Sequence, residues 1–182
     1  MPGVVLYCSA ATMEAISLPD HVDFCPANAS YGITKCETGS SVLMSSFPVP
    51  HDAEDARGFV IKIVGSTKVG YLVDAGYVSE AMAEALEGCE TVFMESNHDE
   101  KMLEECERHP SVKIRVAGCR GHLSNRVVSD LIERLACSGL KRAVLCHLSH
   151  EANTPELAKA TIQRANTNVE ILVARPGLSV DF

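Results

Sequence analysis

The chain has 182 residues, a formal net charge of −8, 46% hydrophobic and 22% charged side chains. This is the balance of one globular domain able to bury a core, and it argues against disorder along the whole chain. The acidic excess excludes a strongly basic nucleic-acid module, though not an enzyme with a local basic patch.

No window of ~18 apolar residues offers a membrane span. The N-terminal stretch MPGVVLYCSAATMEA has no basic region of the kind a secretory signal needs. The eight cysteines, at 8, 25, 36, 89, 106, 119, 137 and 146, form no C-x-x-C pair, so a zinc ribbon or a thioredoxin-type motif is unsupported. Several adjoin apolar runs, and the expectation is reduced thiols in a cytoplasmic protein.

In chain order, VVLYC reads as a short buried strand ending at Cys8, and Ser9 as the cap of a short helix reaching Ile16. Leu18 to Tyr31, with Pro19 and Pro26, reads as irregular. Ser41 to Val49 reads as a strand running into Pro50 and His51. Asp52 to Arg57 is a polar loop. Phe59–Val64 and Val69–Val73 flank GSTK as a hairpin. Val78 to Leu86 has helical period, with Gly88 to end it.

Thr91 to Met94 is a buried strand, and Asp99 to Arg108 an amphipathic helix stopped near Pro110. Val112 to Val116 is ambiguous between the two types. Ser124 to Cys137 places apolar residues at Val127, Val128, Leu131, Ile132 and Leu135, a helical spacing. Ala143–Cys146 and Val169–Ala174 are strands around a helix from Thr154 to Ala165, with Pro155 at its first position. Hairpins in the first half and alternating strand and helix in the second point to a layered α/β domain.

Ligand-type side chains stand at the ends of three apolar strands: His51 after SSFPVP, Asp74 after VGYLV and His147 after RAVLC. Loops at strand ends are where a rigid sheet presents chemistry. Two imidazoles and a carboxylate brought together there would suit Zn²⁺ or Mn²⁺. Taken singly, each is as well explained as a surface histidine or a turn aspartate before glycine. His122, Ser124 and Asn125 lie in GHLSN at the mouth of the 124–137 helix, either an anion site or an ordinary N-cap. His98 follows the strand TVFME, either a proton donor to a leaving oxygen or part of a helix-start turn. Lys113, Arg115, Arg120 and Arg126 form a basic strip beside His122, fit for phosphate or simply a solvated face.

Taken together, SFPVPHDA, LVDAGYVS, ESNHDEKML, GHLSN and CHLSHEANTPELA resemble the metallo-β-lactamase-fold hydrolases of the WalJ/YycJ type, from about the first strand to the C-terminus. The resemblance implies an α/β (α+β) fold, an αββα sandwich with a dinuclear metal site at one edge. It implies that His51 completes the first metal site, that Asp74 bridges both metals and that His147 closes the second. His98 and His122 resemble catalytic or phosphate-contacting residues; the basic strip and the helix mouth make Arg115, Ser124 and Asn125 the expected substrate contacts. The implied activity is metal-dependent phosphodiester hydrolysis, as a 5′-to-3′ exonuclease on DNA, with zinc first and manganese second as cofactor.

The family's H-x-H-x-D-H signature has no counterpart in the 182 residues, which contain no H-x-H. The expectation is therefore a partial hydrolase domain over residues 1–182, N-terminally truncated and lacking the first strands of the fold. Self-association through exposed sheet edges would compensate. Two alternatives accompany it: a non-catalytic remnant or scaffold with an incomplete metal site, and a hydrolase of small esters or lactones.

Overall fold

A computed structural model describes residues 4–16, 22–26, 30–35, 41–165 and 168–181. Nine strands and six helices are described. β1 (Val4–Cys8) and β2 (Val22–Pro26) pair in parallel, with α1 (Ala10–Ala15) between them. The remaining strands are β3 (Ser30–Lys35), β4 (Ser41–Pro48), β5 (Arg57–Ile63), β6 (Lys68–Leu72), β7 (Thr91–Glu95), β8 (Arg142–Cys146) and β9 (Glu170–Val173). They form one sheet in that order. β3 to β6 pair antiparallel and β6 to β9 parallel.

The predicted hairpin, the 124–137 helix and the later strands are found within a residue or two. Within Leu18–Tyr31 the described residues correct the sequence reading, because Val22–Pro26 is β2 and Ser30 and Tyr31 begin β3; the rest of that stretch lies outside the described residues. The cause is tertiary: β2 is completed by β1, well before it in sequence, and local turn residues do not report that pairing. The ambiguous 112–116 segment is helical, within α4 (Pro110–Ala117), which has His109 as N-cap and Pro110 at its first turn. α3 (Glu100–Glu105) is shorter than expected. Asp99 caps it by accepting from the N–H groups of Lys101 and Met102, and Cys106 ends it in extended backbone.

Period-2 alternation gives the sheet two different faces. Val60, Leu72, Val92, Met94, Ala143 and Leu145 point to the face covered by α2 (Glu80–Leu86), α5 (Asn125–Cys137) and α6 (Pro155–Ala165). There they meet Met82 and Leu86, then Val128, Ile132 and Leu135, then Ala158 and Ile162. Burying each such side chain contributes roughly 1.5–3 kcal/mol. Gly70 keeps α2 close, since a Cβ there would strike Leu86. On the other face Met44, Phe59, Ile61, Tyr71 and Phe93 line an open apolar cleft of about 640 Å³.

The parallel run places the C-terminal ends of β6, β7 and β8 side by side. Leu72 pairs with Met94, Met94 with Leu145 and Glu95 with Cys146. β4 runs in the same direction as β6, because each is antiparallel to β5. The residues that follow β4, β6, β7 and β8 thus share one sheet edge. Cys8, Cys89, Cys106, Cys119, Cys137 and Cys146 are free thiols. No helix among the described residues is long and apolar enough to cross a membrane.

Candidate metal centre

Four side chains converge at that edge. One donor atom from each of Asp74, Glu95, His122 and His147 lies within 4.8 Å of the others. His147 Nδ1 stands 3.1 Å from Asp74 Oδ1 and 3.3 Å from Glu95 Oε2. His122 Nδ1 stands 3.0 Å from Glu95 Oε2 and 3.5 Å from Asp74 Oδ1. The two imidazole rings meet edge to face with centroids 5.0 Å apart.

Backbone conformation aims two of these groups. Asp74 has φ +57° and His147 φ +51°; with Asp55 they are the non-glycine residues at positive φ among those described. Holding a side-chain-bearing residue there costs on the order of 1 kcal/mol, and such positions concentrate where a side chain must be re-aimed at a site. Asp74 is followed by Ala75 and Gly76. The Gly76 N–H donates to Pro50 O at 2.8 Å, so the turn after β6 is tied to the segment after β4. A Cβ on Gly76 would collide with the backbone of Cys119 and Arg120.

Glu95 is the floor of the cluster. It is 0% exposed. Its Oε1 accepts from the N–H groups of Ala75 at 2.6 Å and Leu123 at 3.2 Å, leaving Oε2 toward both imidazoles. Burial pushes its carboxyl upward, but the bonds from His122, His147 and Ala75 outweigh that and hold it below the usual range. The hydrogen bond to Glu95 raises His147 above the ordinary imidazole value, against its partial desolvation. Asp74 and His147 are partly exposed and open the cluster to solvent.

The structure brings together three of the residues singled out in the sequence: Asp74, His122 and His147. His51 stands beside them, its ring 5.2 Å from that of His122. Both its nitrogens are engaged, Nδ1 with Gly121 O at 3.2 Å and Nε2 with Asp52 Oδ1 at 3.1 Å. Glu95 was missed, although a carboxylate ending the apolar strand TVFM is a visible anomaly.

Other predicted contacts are redirected. Asn125 is 1% exposed, and its amide exchanges hydrogen bonds with Asn153 and accepts from Ser96 Oγ, which leaves no open face for a substrate. Ser124 is buried as the N-cap of α5, and its hydroxyl donates to Glu100. His98 is 3% exposed, and its Nδ1 has no hydrogen-bond partner. Arg115 is exposed but paired to Asp52 at 2.7 Å, and Arg120 Nε donates to His51 O.

A set of two imidazoles and two carboxylates suits a borderline divalent cation, because the carboxylates offset its charge and the imidazoles supply nitrogen donors. The comparisons with known proteins agree with the fold and with this chemistry. No family model matches the chain. It is 28% identical over 191 aligned residues to the exodeoxyribonuclease WalJ of Streptococcus pneumoniae serotype 2 (strain D39 / NCTC 7466), covering 99% of this chain and 65% of that protein. It is 29% identical over 135 residues to the exodeoxyribonuclease YycJ of Bacillus anthracis, covering 74% of this chain and 50% of that one. The chain thus spans less than two thirds of the length of these curated relatives.

Among solved structures, zinc-bound PqqB from Methylobacterium extorquens superposes with a TM-score of 0.66 at 17% identity, over 99% of this chain and 65% of that one. A diphosphatase of the PhnP family gives 0.62 at 16%, over 98% and 58%. The chain has the fold of the metallo-β-lactamase-type hydrolases. WalJ/YycJ exodeoxyribonucleases are its homologues in sequence over most of its length.

Proposed function

We propose that this chain is the site-bearing part of a metal-dependent phosphodiesterase, acting as a 5′-to-3′ exonuclease on DNA, with zinc as the preferred ion and manganese as the second choice. The observation that carries this reading is the meeting of Asp74, His122 and His147 over buried Glu95 at one sheet edge. The names of the WalJ and YycJ relatives supply the substrate class.

Asp74 and His147 would hold the ion. Bound there, it supplies Lewis-acid polarisation of a phosphoryl group. His122 presents Nδ1 to Glu95, which leaves Nε2 as the nitrogen that contacts a phosphoryl or leaving oxygen and can pass it a proton. Glu95 keeps the rings of His122 and His147 in place. Arg115 and Arg120, at the rim near His51, steer a polyanion, a contribution that added salt weakens. The free thiols fit a reducing compartment, and we place the protein in the cytoplasm.

The test is hydrolysis of 5′-labelled DNA by the zinc- or manganese-loaded chain, beside Asp74→Ala. Activity that falls at least a hundredfold in the variant supports the reading. Equal activity in both removes Asp74 from it. A loaded chain that never cleaves DNA favours the non-catalytic alternative.

A further inference from the structure

We propose that the cavity beside His147 is a subsite for the terminal nucleoside of a nucleic-acid strand, taking its base and sugar, while the phosphates that follow run past His51. This rests on the phosphodiesterase reading above and goes past it, from where cleavage happens to how the strand lies across the site.

The cavity measures about 650 Å³ and has His147 in its wall, so it opens directly beside the cluster. Small-ligand sites span roughly 300–1,000 Å³, and one nucleoside fits in that space. The loop after β8, the start of α6 and the end of β9 enclose it. In a parallel sheet this is the crevice beyond the carboxyl ends of the strands, where ligands bind. Leu148, Pro155, Val173 and Ala174 give it an apolar wall suited to a base and a deoxyribose.

Ser149 and His150 add polar contacts. Ser149 Oγ accepts from the Ala152 N–H at 3.2 Å, which leaves its own hydrogen to donate to a base edge. His150 is exposed, and an imidazole is one of the faces on which bases stack. Asn153 contributes shape alone, because Ser96 and Asn125 consume its amide.

Charge decides which part of a nucleotide enters. Among the described residues no lysine or arginine lines the cavity, and Glu156 puts a carboxylate on its wall. A phosphate there would face like charge. Lys159 and Arg175 line an adjoining hollow that shares Glu156 but does not reach His147. Cations beside the cluster gather instead around His51. Arg120 Nε donates to His51 O at 2.9 Å, and Arg115 pairs with Asp52, which also meets His51 Nε2.

The His122 ring lies 5.2 Å from that of His51 and 5.0 Å from that of His147. A phosphate held at His122 therefore has a cationic neighbourhood at His51 and a cation-free hollow at His147. The strand's polyanionic run belongs with the first and a base with its sugar in the second. In 5′-to-3′ order the occupant is the 5′-terminal nucleoside, joined to the scissile phosphate through its 3′ oxygen.

The probe is thymidine 3′-monophosphate, read by saturation-transfer NMR on the whole chain in buffer containing Zn²⁺. Saturation should reach the base and sugar protons. Ala174→Phe fills the cavity from an exposed position and should weaken binding at least tenfold. His150→Ala, also at an exposed position, should weaken it at least threefold. Thymidine 3′,5′-bisphosphate should bind at least threefold more weakly than the monophosphate, because its second phosphate meets Glu156. Glu156→Gln should remove that difference.

Base protons that receive no saturation, or binding unaltered in both Ala174→Phe and His150→Ala, would overturn the proposal. So would a bisphosphate that binds more tightly than the monophosphate, which would make the cavity an anion site. Cleavage of 5′-labelled DNA by the same wild-type samples separates the two readings. Cleavage without contact to the base keeps the nuclease and removes the subsite; contact without cleavage keeps the subsite and removes the nuclease.

Discussion

The side-chain amide of Asn97 donates to the carbonyl oxygen of His147 at 3.0 Å, and so grips the backbone of a residue held at φ +51°. The same residue reaches the other histidine loop. Its N–H donates to Leu123 O at 3.0 Å, and its carbonyl accepts from Ser149 N–H at 2.8 Å. Asn97 thus fastens the loops bearing His122 and His147 to the end of β7. Removing its amide frees the His147 carbonyl and the strained backbone with it. Asn97→Ala should weaken Zn²⁺ binding roughly 10–100-fold, the range seen when residues that orient metal ligands are lost. Calorimetric titration checks this, and an unchanged affinity would show that the clamp is structural only.

Beneath that clamp lies a closed ring of polar groups. Ser96 Oγ donates to Asn125 Oδ1 at 2.6 Å, the Asn125 and Asn153 amides exchange bonds at 2.8 and 3.0 Å, and Asn153 donates to Ser96 O at 2.8 Å. All three residues are buried. Because the partners left behind have no access to water, Asn153→Ala should cost about 1–3 kcal/mol for each group it orphans. Asn125→Ala should cost a similar amount. The double variant should lose clearly less than the sum, since the two share their bonds. Urea unfolding of the four proteins measures this, and additive losses would mean that the ring is not one unit.

Much of this site was visible in the sequence, and the reason is strand geometry. Runs such as VGYLV and RAVLC are too apolar to be anything but buried strands, so Asp74 and His147 mark their ends. Parallel pairing then places those ends side by side. What sequence could not show were partners. Arg115 lies 63 residues from Asp52, yet the two are paired, so a strip of positive charge in sequence is partly neutralised in space. Asn125 follows a cap residue in GHLSN and looks available, but Asn153, 28 residues later, consumes it. β2 was missed because its pairing with β1 is nonlocal. α4 was legible, with hindsight, in His109-Pro110 at a helix start.

Gly121 controls how closely the His122 loop approaches α4. A Cβ there would run into the backbone carbonyls of Arg115 and Val116, while its own N–H donates to Gly118 O at 2.8 Å and the next N–H, that of His122, to Val116 O at 2.9 Å. These are main-chain atoms and cannot swing aside. Gly121→Ala should therefore destabilise by about 1–3 kcal/mol, as overpacking does. It should also move His122 away from Glu95 and lower Zn²⁺ affinity at least tenfold. Thermal unfolding and metal titration on the same variant test both effects; an alanine tolerated without change in either would mean that the loop has slack at this point.

His98 gives the fold a dependence on acid. Burial depresses its basicity below the ordinary value of 6.5, with Glu100, Glu95 and Asp99 opposing and His122 adding to the effect. The folded chain therefore keeps His98 neutral at a pH where the unfolded chain has taken up the proton. The stability from this residue is fully present above about pH 6.5 and is lost as the pH falls toward the folded-state value, with a slope of up to about 1.4 kcal/mol per unit. Glu95, held low, adds loss in the same direction at lower pH, whereas His147, held high, stabilises as the pH falls. The contribution of His98 is thus read as a difference between wild type and His98→Phe, which keeps a ring but does not titrate. Urea unfolding from pH 7.5 to 5 should give a steeper acid-side loss in wild type than in the variant. Parallel profiles would mean that His98 takes up its proton as readily in the folded chain as in the unfolded one.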